Sequence, residues 1–217
     1  FTANRAAASG YITVSYQNVT RKIPVTIDGP EPETFEKFKD MGTHRWAKDA
    51  VYRLHDAGVI RGVTDSTFAP GKPIKRADFM LMLVRLMKLD IDQNPTDQFA
   101  DVPENAYYYK ELATAKRLGI AQGTSNTTFS PERNITREEM FTLTWRVLKQ
   151  YQHLQSESPM SELGQFADQT SIASFAKQAI ATLTGNKLIE GDNKKCVNPK
   201  GNATRAESAV FLDRVNT

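Results

Sequence analysis

The chain has 217 residues, of which 40% are hydrophobic and 24% charged, and its formal net charge is +3. No apolar stretch approaches the roughly 20 residues that a membrane-spanning helix needs, and the single cysteine, Cys196, excludes an intrachain disulfide and a zinc site with several cysteine ligands. Basic residues are interleaved with acidic ones, so the charge pattern does not indicate a nucleic-acid-binding protein.

Residues 1–34 are predicted to contain β structure. The stretch GYITVSYQNVTRKIPVTI is rich in β-branched and aromatic residues, which predicts two strands around a turn near Gln17 and Asn18. A lone hairpin is only marginally stable, so we expect it to be the end of an upstream β domain that the linker DGPEPET joins to the rest. The chain starts at Phe1 without an initiator Met or a signal segment, so we expect a fragment of a longer protein.

Three similar units follow, predicted as residues 35–98, 99–165 and 166–217. Each contains a Phe-x-Asp triplet, then a glycine 24, 24 or 25 residues after the phenylalanine, then an arginine 14 residues after the glycine. In chain order these residues are Phe38, Phe99 and Phe166; Gly62, Gly123 and Gly191; and Arg76, Arg137 and Arg205. Such nearly constant spacing indicates an internal repeat.

Each unit is predicted to contain two helices. The first is amphipathic in all three units, with an aromatic residue, Trp46, Tyr107 or Phe175, expected early in the helix. A Phe-x-Pro triplet precedes the second helix in the first two units, and Val197 replaces its phenylalanine in the third.

The second helix is predicted to begin at the arginine. Thr136 and Thr204 each precede that arginine and have a glutamate three residues on, which is typical of a capping box, whereas Lys75 cannot provide this cap. The residues 3, 6, 7 and 10 positions after the arginine are mainly apolar and form one stripe. A second arginine follows nine residues after the first, and we expect Arg85, Arg146 and Arg214 to pair with carboxylates on the outer face.

Two short helices cannot bury their apolar stripes alone, so the three units are expected to share one core around a pseudo-threefold axis. Clefts would then lie between neighbouring units. If the second helices run parallel, Arg76, Arg137 and Arg205 would lie at equivalent points near these clefts.

The ordered motifs Phe-x-Asp, Gly-x-Ile-x-Gly, Phe-x-Pro and Thr-Arg-Ala-Glu resemble the S-layer homology domain of bacterial surface proteins over residues 35–217. The resemblance implies a mainly α fold, with three helix-loop-helix repeats in a pseudo-threefold spindle around a central helical core, preceded by a short β segment. It implies non-covalent anchoring of a secreted protein to the wall of a mainly Gram-positive bacterium. The ligand would be a secondary cell-wall polysaccharide with pyruvylated N-acetylmannosamine, bound in clefts between the repeats.

The same resemblance implies an extracellular protein in the cell wall or S-layer that is not an enzyme. It implies no cofactor, no metal, no nucleic acid and no membrane insertion, and it is compatible with self-association through a lattice domain of the parent protein. The expected partner is the pyruvylated polysaccharide.

The resemblance assigns the ligand's carboxylate to Arg76, Arg137 and Arg205, because a guanidinium holds a carboxylate by two parallel hydrogen bonds. A cation in the first turn of a helix is disfavoured by the helix dipole. We therefore expect the free N–H groups of that turn to point at the anionic ligand together with the arginine.

Other candidate site residues have two interpretations each. The aspartates of the Phe-x-Asp triplets could accept hydrogen bonds from sugar hydroxyls, or they could orient the arginine or cap a helix. The early-helix aromatic residues could stack on a sugar or join the core. The turn glycines could let a ligand approach closely or could end the first helix. These residues are Asp40, Asp101 and Asp168; Trp46 and Tyr107; and Gly58 and Gly119. The third unit has Lys187 in place of the glycine, so its cleft is expected to be altered or empty.

Two other functions fit a helical repeat. A protein-protein adaptor would bind its partner in apolar grooves, and an accessory module of a cell-wall glycosidase would leave catalysis to another domain. Within this chain, no carboxylate pair is better explained by glycoside hydrolysis than by the repeat. The three histidines form no His-Glu-x-x-His pattern, and the turns DNKK and TDST lack the dense oxygen ligands of a calcium loop.

Overall fold

The computed structural model describes residues 8–16, 19–27, 36–151, 154 and 156–216, and the chain divides into the units Phe1–Lys37 and Phe38–Thr217. In the first unit, β1 (Ala8–Tyr16) pairs antiparallel with β2 (Val19–Ile27). The two predicted strands are confirmed. The predicted turn at Gln17 and Asn18 lies outside the described residues.

The second unit contains two α-helices from each repeat. They are α1 (Lys48–Asp56) and α2 (Arg76–Leu86), α3 (Tyr109–Arg117) and α4 (Arg137–Gln150), and α5 (Ser174–Gly185) and α6 (Arg205–Val215). Short 3-10 helices span Gly42–Ala47, Met160–Gln165 and Gln169–Ser171. Each second helix begins at the predicted arginine. Within the described part of the chain, no helix has the length and apolarity that crossing a membrane requires.

The caps of the second helices follow the sequence. The Thr136 hydroxyl accepts a hydrogen bond from the Glu139 N–H, and the Glu139 carboxylate accepts one from the Thr136 N–H. Thr204 and Glu207 form the same reciprocal pair, and Lys75 gives no side-chain cap. Both predicted capping boxes are confirmed.

The first helices end in a left-handed residue. Gly58 and Gly119 have φ values of +73° and +71°, and Lys187 takes the same place in the third repeat at φ 61°. The Gly58 N–H donates to the His55 carbonyl, and the next N–H donates back to Leu54, as in a Schellman motif. The structure therefore gives Gly58 and Gly119 the role of ending a helix.

The helices pack across the repeat boundaries. The first helix of each repeat lies against the second helix of the repeat before it, so α3 packs on α2, α5 on α4 and α1 on α6. Helix α2 also contacts α4 and α6, and the rings of Phe141 and Phe211 meet edge to face with their centroids 5.0 Å apart. The predicted apolar stripes line this shared core, which confirms the mainly α fold.

A ring of three backbone hydrogen bonds joins the repeats just before the second helices. Ile74 donates to Ala203, Ala203 donates to Ile135 and Ile135 donates to Ile74, each at 3.0 Å. All three residues are buried and lie two positions before the repeat arginines. Because a buried N–H needs a partner, this ring fixes the three helix starts around the pseudo-threefold axis.

Candidate functional site

Three equivalent clefts lie between the repeats, and each takes residues from all three. One repeat supplies the first arginine of its second helix, the next repeat supplies the glycine loop and its second arginine, and the remaining repeat supplies the aromatic residue. We name the clefts after the first arginine. The Arg76 cleft includes Gln122, Gly123, Glu139, Arg146 and Phe175; the Arg137 cleft includes Trp46, Glu190, Gly191, Asp192, Glu207 and Arg214; and the Arg205 cleft includes Arg61, Gly62, Asp78, Arg85 and Tyr107.

The clefts differ in size. The Arg76 and Arg137 clefts have volumes of about 410 and 450 Å³, within the range of roughly 300–1,000 Å³ that is usual for small-molecule sites. The Arg205 cleft is narrower, at about 210 Å³, and the Tyr107 hydroxyl donates to the Asp78 carboxylate within it.

The first arginine of each cleft is held by the loop of the next repeat. The Nε–H group of Arg76 donates to the Phe129 carbonyl at 2.9 Å, and that of Arg205 donates to the Phe68 carbonyl at 2.7 Å. Each of these two guanidinium groups lies 4.5 Å from the centroid of the same phenylalanine ring. Such contacts hold the charged guanidinium group in one position.

The third repeat lacks that phenylalanine. Arg137 still donates its Nε–H to the carbonyl at this position, that of Val197, at 2.9 Å. Its guanidinium lies instead 5.4 Å from the ring of Phe141 in its own helix. The surroundings of Arg137 therefore differ from those of Arg76 and Arg205.

The triplet aspartates support the same loops. Both oxygens of Asp101 accept backbone N–H groups, from Phe129 at 2.8 Å and from Ser130 at 2.7 Å. Asp40 and Asp168 make the equivalent pairs of bonds in the other repeats, and the second residue of each pair has a positive φ between 51° and 58°. The aspartates thus position the carbonyl that receives the arginine. A direct contact with ligand stays a prediction.

The three first arginines differ in burial. Arg76 and Arg205 are only 3% and 8% exposed, and burial lowers the pKa of both guanidinium groups from the ordinary arginine value. The side chain of Arg137 is 19% exposed. The hydrogen bonds and ion pairs of each arginine described here use two of its five N–H donors.

Acidic residues partly balance two of these arginines. The Nη1 atom of Arg76 lies 3.3 Å from a Glu139 oxygen, and that of Arg137 lies 3.3 Å from a Glu207 oxygen. In the third cleft the equivalent acid is the shorter Asp78. There the Nη2–H group of Arg205 donates to the Arg61 carbonyl at 2.6 Å.

The expected role of the helix N-terminus is wrong. The N–H groups of Arg137 and Glu138 donate to the carbonyls of Gly201 and Pro199 in the next repeat, at 2.9 and 3.0 Å, and the Glu139 N–H donates to the Thr136 cap. The corresponding bonds elsewhere run from Arg76 to Arg133, Ala77 to Pro131, Arg205 to Lys72 and Ala206 to Pro70. These N–H groups hold the repeats together and do not face the clefts.

The expected outer-face role of the second arginines is wrong. Arg85, Arg146 and Arg214 line the clefts, and over the described residues none of them forms an ion pair with a carboxylate. Burial lowers the pKa of Arg85 and Arg146 from the ordinary value. Nine residues make about two and a half helical turns, so the two arginines of one helix face two different clefts. Their recurrence in all three repeats was the signal for this role.

The aromatic residues lie at the cleft edges. Trp46, Tyr107 and Phe175 are 59%, 64% and 52% exposed, so they are not core residues. Their expected place in the first helix is right only for Phe175, because Trp46 lies in the 3-10 helix before α1 and Tyr107 lies two residues before α3. An exposed aromatic beside a cleft can pack on an apolar ligand face. Gly58 and Gly119 do not line the three clefts.

The chain matches the model of the S-layer homology domain three times, at residues 37–80, 98–141 and 165–209. It is 30% identical over 206 residues to an amylopullulanase of Thermoanaerobacterium thermosulfurigenes, which covers 95% of this chain and 10% of that protein. It is 33% identical over 172 residues to a surface-layer 125 kDa protein of Lysinibacillus sphaericus, which covers 78% of this chain and 14% of that protein. The match to the S-layer protein sap of Bacillus anthracis is 25% over 212 residues and covers 97% and 25%, so the chain spans a quarter or less of these relatives.

Proposed function

Because the chain belongs to the S-layer homology domain family, we propose that its three clefts bind a secondary cell-wall polysaccharide whose sugars carry pyruvate ketals. The domain is a non-catalytic module that anchors a protein at the cell wall, outside the cell. The ketal supplies a carboxylate on a sugar ring. Any catalytic activity of the parent protein would then belong to other parts of its chain.

The recurrence of one set of groups in three clefts carries this proposal. Each cleft shares one first and one second repeat arginine, one acid from the first turn of a second helix, one glycine loop and one exposed aromatic residue. A guanidinium fixed by a backbone carbonyl and an aromatic ring is ready to pair with a carboxylate without losing much side-chain entropy. The aromatic residue at the edge would pack against the sugar ring.

The second arginine completes the pairing. In the Arg76 cleft, Arg76 already contacts Glu139, while Arg146 has no ion pair with a carboxylate among the described residues. Arg146 would therefore take one side of the ketal carboxylate and Arg76 the other. Burial from water lowers the pKa of Arg146, and the same burial strengthens the interaction of Arg146 with an anion.

The polymer would be held at several points. Each cleft is expected to bind one sugar with modest affinity, and clefts on one chain raise the overall affinity through effective concentration. The clefts are joined rigidly by the ring of backbone hydrogen bonds through Ile74, Ile135 and Ala203. Such a scaffold limits the entropy lost when a second cleft engages.

Calorimetric titration with purified wall polysaccharide tests the proposal, alongside the same polymer with its ketals removed. We expect binding to the ketal-bearing polymer and at least tenfold weaker binding to the other. Equal binding to both would leave a cell-wall lectin but reject the carboxylate pairing. Binding to neither would favour the protein-adaptor function.

A matched pair of variants locates the binding. Arg146→Gln should weaken binding to the ketal-bearing polymer, because it removes a cleft cation. Arg117→Gln removes an arginine that lies outside the three clefts and is paired with Asp92, and it should leave binding unchanged. Equal affinities for the two variants would remove Arg146 from the site.

A further inference from the structure

One loop position carries a different charge in each cleft. Arg61, Gln122 and Glu190 occupy equivalent places, each directly before the repeat glycine and 15 residues before the repeat arginine. Arg61 lines the Arg205 cleft, Gln122 lines the Arg76 cleft and Glu190 lines the Arg137 cleft. The three clefts therefore share a framework, and at this loop position they differ by one unit of charge at each step.

The other charged residues preserve this order. The residues lining the Arg205 cleft include three arginines, Arg61, Arg85 and Arg205, and one carboxylate, Asp78, which already accepts a hydrogen bond from Tyr107. Besides burial, the charge of Arg61 contributes to the lowered pKa of Arg85, so the two guanidinium groups are close enough to interact. This cleft has the largest excess of positive charge.

The Arg137 cleft has the opposite balance. Its two arginines, Arg137 and Arg214, face three lining carboxylates, Glu190, Asp192 and Glu207. The Arg76 cleft is intermediate, with Arg76 and Arg146 against Glu139 and with the neutral Gln122 at the loop position. Charges at a protein surface interact over several ångströms, so the same anionic sugar meets a different potential in each cleft.

We propose that Arg61, Gln122 and Glu190 set the charge preference of the three clefts. This inference rests on the proposed function, since it takes the clefts to bind sugars. The Arg205 cleft selects anionic sugars most strongly, the Arg76 cleft selects them less strongly, and the Arg137 cleft accepts an uncharged sugar about as well as a charged one. A polymer in which only some sugars carry an anionic group would then be bound in a preferred register.

Selection of this kind comes from repulsion as well as attraction. Glu190 disfavours a carboxylate in the Arg137 cleft, although Arg137 and Arg214 can still hydrogen-bond to sugar hydroxyls. Trp46 is exposed at the edge of the same cleft and would supply packing that does not depend on charge. An uncharged sugar is therefore expected to bind in the Arg137 cleft with an affinity close to that of a charged one.

Two monosaccharide probes separate charge from shape. One is N-acetylmannosamine with a pyruvate ketal, and the other is its uncharged methyl ester. The full chain is labelled with ¹⁵N, and the Nε–H signals of Arg76, Arg137 and Arg205 report the occupancy of each cleft by nuclear magnetic resonance. The ratio of the two dissociation constants measures the charge preference of each cleft.

Charge reversal at the loop position is the decisive change. Arg61→Glu should weaken binding of the ketal probe in the Arg205 cleft by about tenfold, because the change removes a positive charge and adds a negative one at a partly exposed site. Glu190→Arg should strengthen binding of the ketal probe in the Arg137 cleft by a similar factor. Arg61 and Glu190 are both exposed, so backbone spectra should remain those of the folded chain.

The matched neutral variants Arg61→Gln and Glu190→Gln should give about half of each effect on a logarithmic scale, and the methyl ester should bind all variants alike. Unchanged ketal-to-ester ratios in the variants would overturn this inference while the proposed function stands. Binding of neither probe to the unmodified chain would overturn both.

Discussion

Arg205 donates its Nε–H group to the carbonyl oxygen of Phe68 at 2.7 Å, across 137 residues of sequence, and its guanidinium lies over the ring of the same phenylalanine. The bond joins the third repeat to the first. Equivalent bonds join the first repeat to the second and the second to the third, so the arginines assigned to ligand binding also connect the repeats.

Replacement of Arg205 should therefore reduce stability. Arg205→Met leaves the Phe68 carbonyl without its donor, and we expect the free energy of unfolding to fall by about 1–3 kcal/mol. Urea unfolding measures the change. Arg53→Met is the control, because Arg53 also connects two repeats, through Asp213, but its side chain is 63% exposed and such pairs contribute little to stability. Equal losses in the two variants would contradict the structural role of Arg205.

Asp101→Asn should also reduce stability. An amide can accept only one of the two N–H groups that Asp101 now receives from Phe129 and Ser130, and its NH₂ group would face the other. We expect a loss of about 1–3 kcal/mol in urea unfolding. Asp97→Asn, at an exposed pair with Lys116, should change stability by less than about 1 kcal/mol. A loss no larger than the control's would argue that the loop does not depend on Asp101.

Local features of this fold could be predicted from sequence. The start of each second helix, the two capping boxes and the apolar stripes depend on residues within one or two turns of each other. The repeat also indicated that Arg76, Arg137 and Arg205 lie at equivalent points. These signals recur three times, so that each copy supports the interpretation of the others.

Contacts between repeats could not be predicted in the same way. The first-turn N–H groups of α4 are satisfied by Pro199 and Gly201, more than 60 residues away, and no local pattern indicates that pairing. The cleft position of Arg146 depends on how α4 packs between its neighbours. Tyr107 lies outside α3, which begins at Tyr109.

Lys187→Gly should stabilise the chain. Lys187 ends α5 with φ 61°, a conformation that costs a residue with a Cβ about 1 kcal/mol more than glycine. Gly119→Ala is the matched opposite change, because Gly119 has φ +71° and an added Cβ would meet no atom within 4 Å. Thermal unfolding should show a higher midpoint for the first variant and a lower one for the second. Shifts of the same sign would exclude backbone strain as the cause.

Trp46→Ala should weaken saccharide binding with little effect on stability. Trp46 is 59% exposed at the edge of the Arg137 cleft, so its removal creates no core cavity but deprives a sugar of a packing surface. We expect binding at this cleft to fall by about tenfold, from the loss of roughly 1–2 kcal/mol of packing. Tyr151→Ala removes an exposed aromatic residue that does not line the three clefts and should leave binding unchanged. Equal binding by both variants would show that Trp46 does not contact the sugar.

Glu139 should contribute to the pH dependence of stability. Burial raises the pKa of its carboxyl group, but hydrogen bonds from Arg133 and from the Thr136 N–H, together with the charge of Arg76, outweigh burial and leave the pKa below its ordinary value of 4.5. A carboxyl group with a lowered pKa in the folded state stabilises the fold above its ordinary pKa. That contribution is lost as the pH falls through the folded-state value.

Glu139→Gln tests this by removing the charge and keeping a residue that still fits a capping box. At pH 7 we expect the variant to be less stable than the unmodified chain by about 1 kcal/mol. The difference should narrow as the pH falls below about 4.5, because protonation then removes the same charge from the unmodified chain. Urea unfolding between pH 3 and pH 7 measures the free energy of unfolding of the variant and of the unmodified chain as a function of pH. Glu104→Gln is an exposed control whose free energy of unfolding should stay close to that of the unmodified chain. A constant gap between the Glu139→Gln curve and that of the unmodified chain would assign the loss to packing rather than to the carboxylate charge.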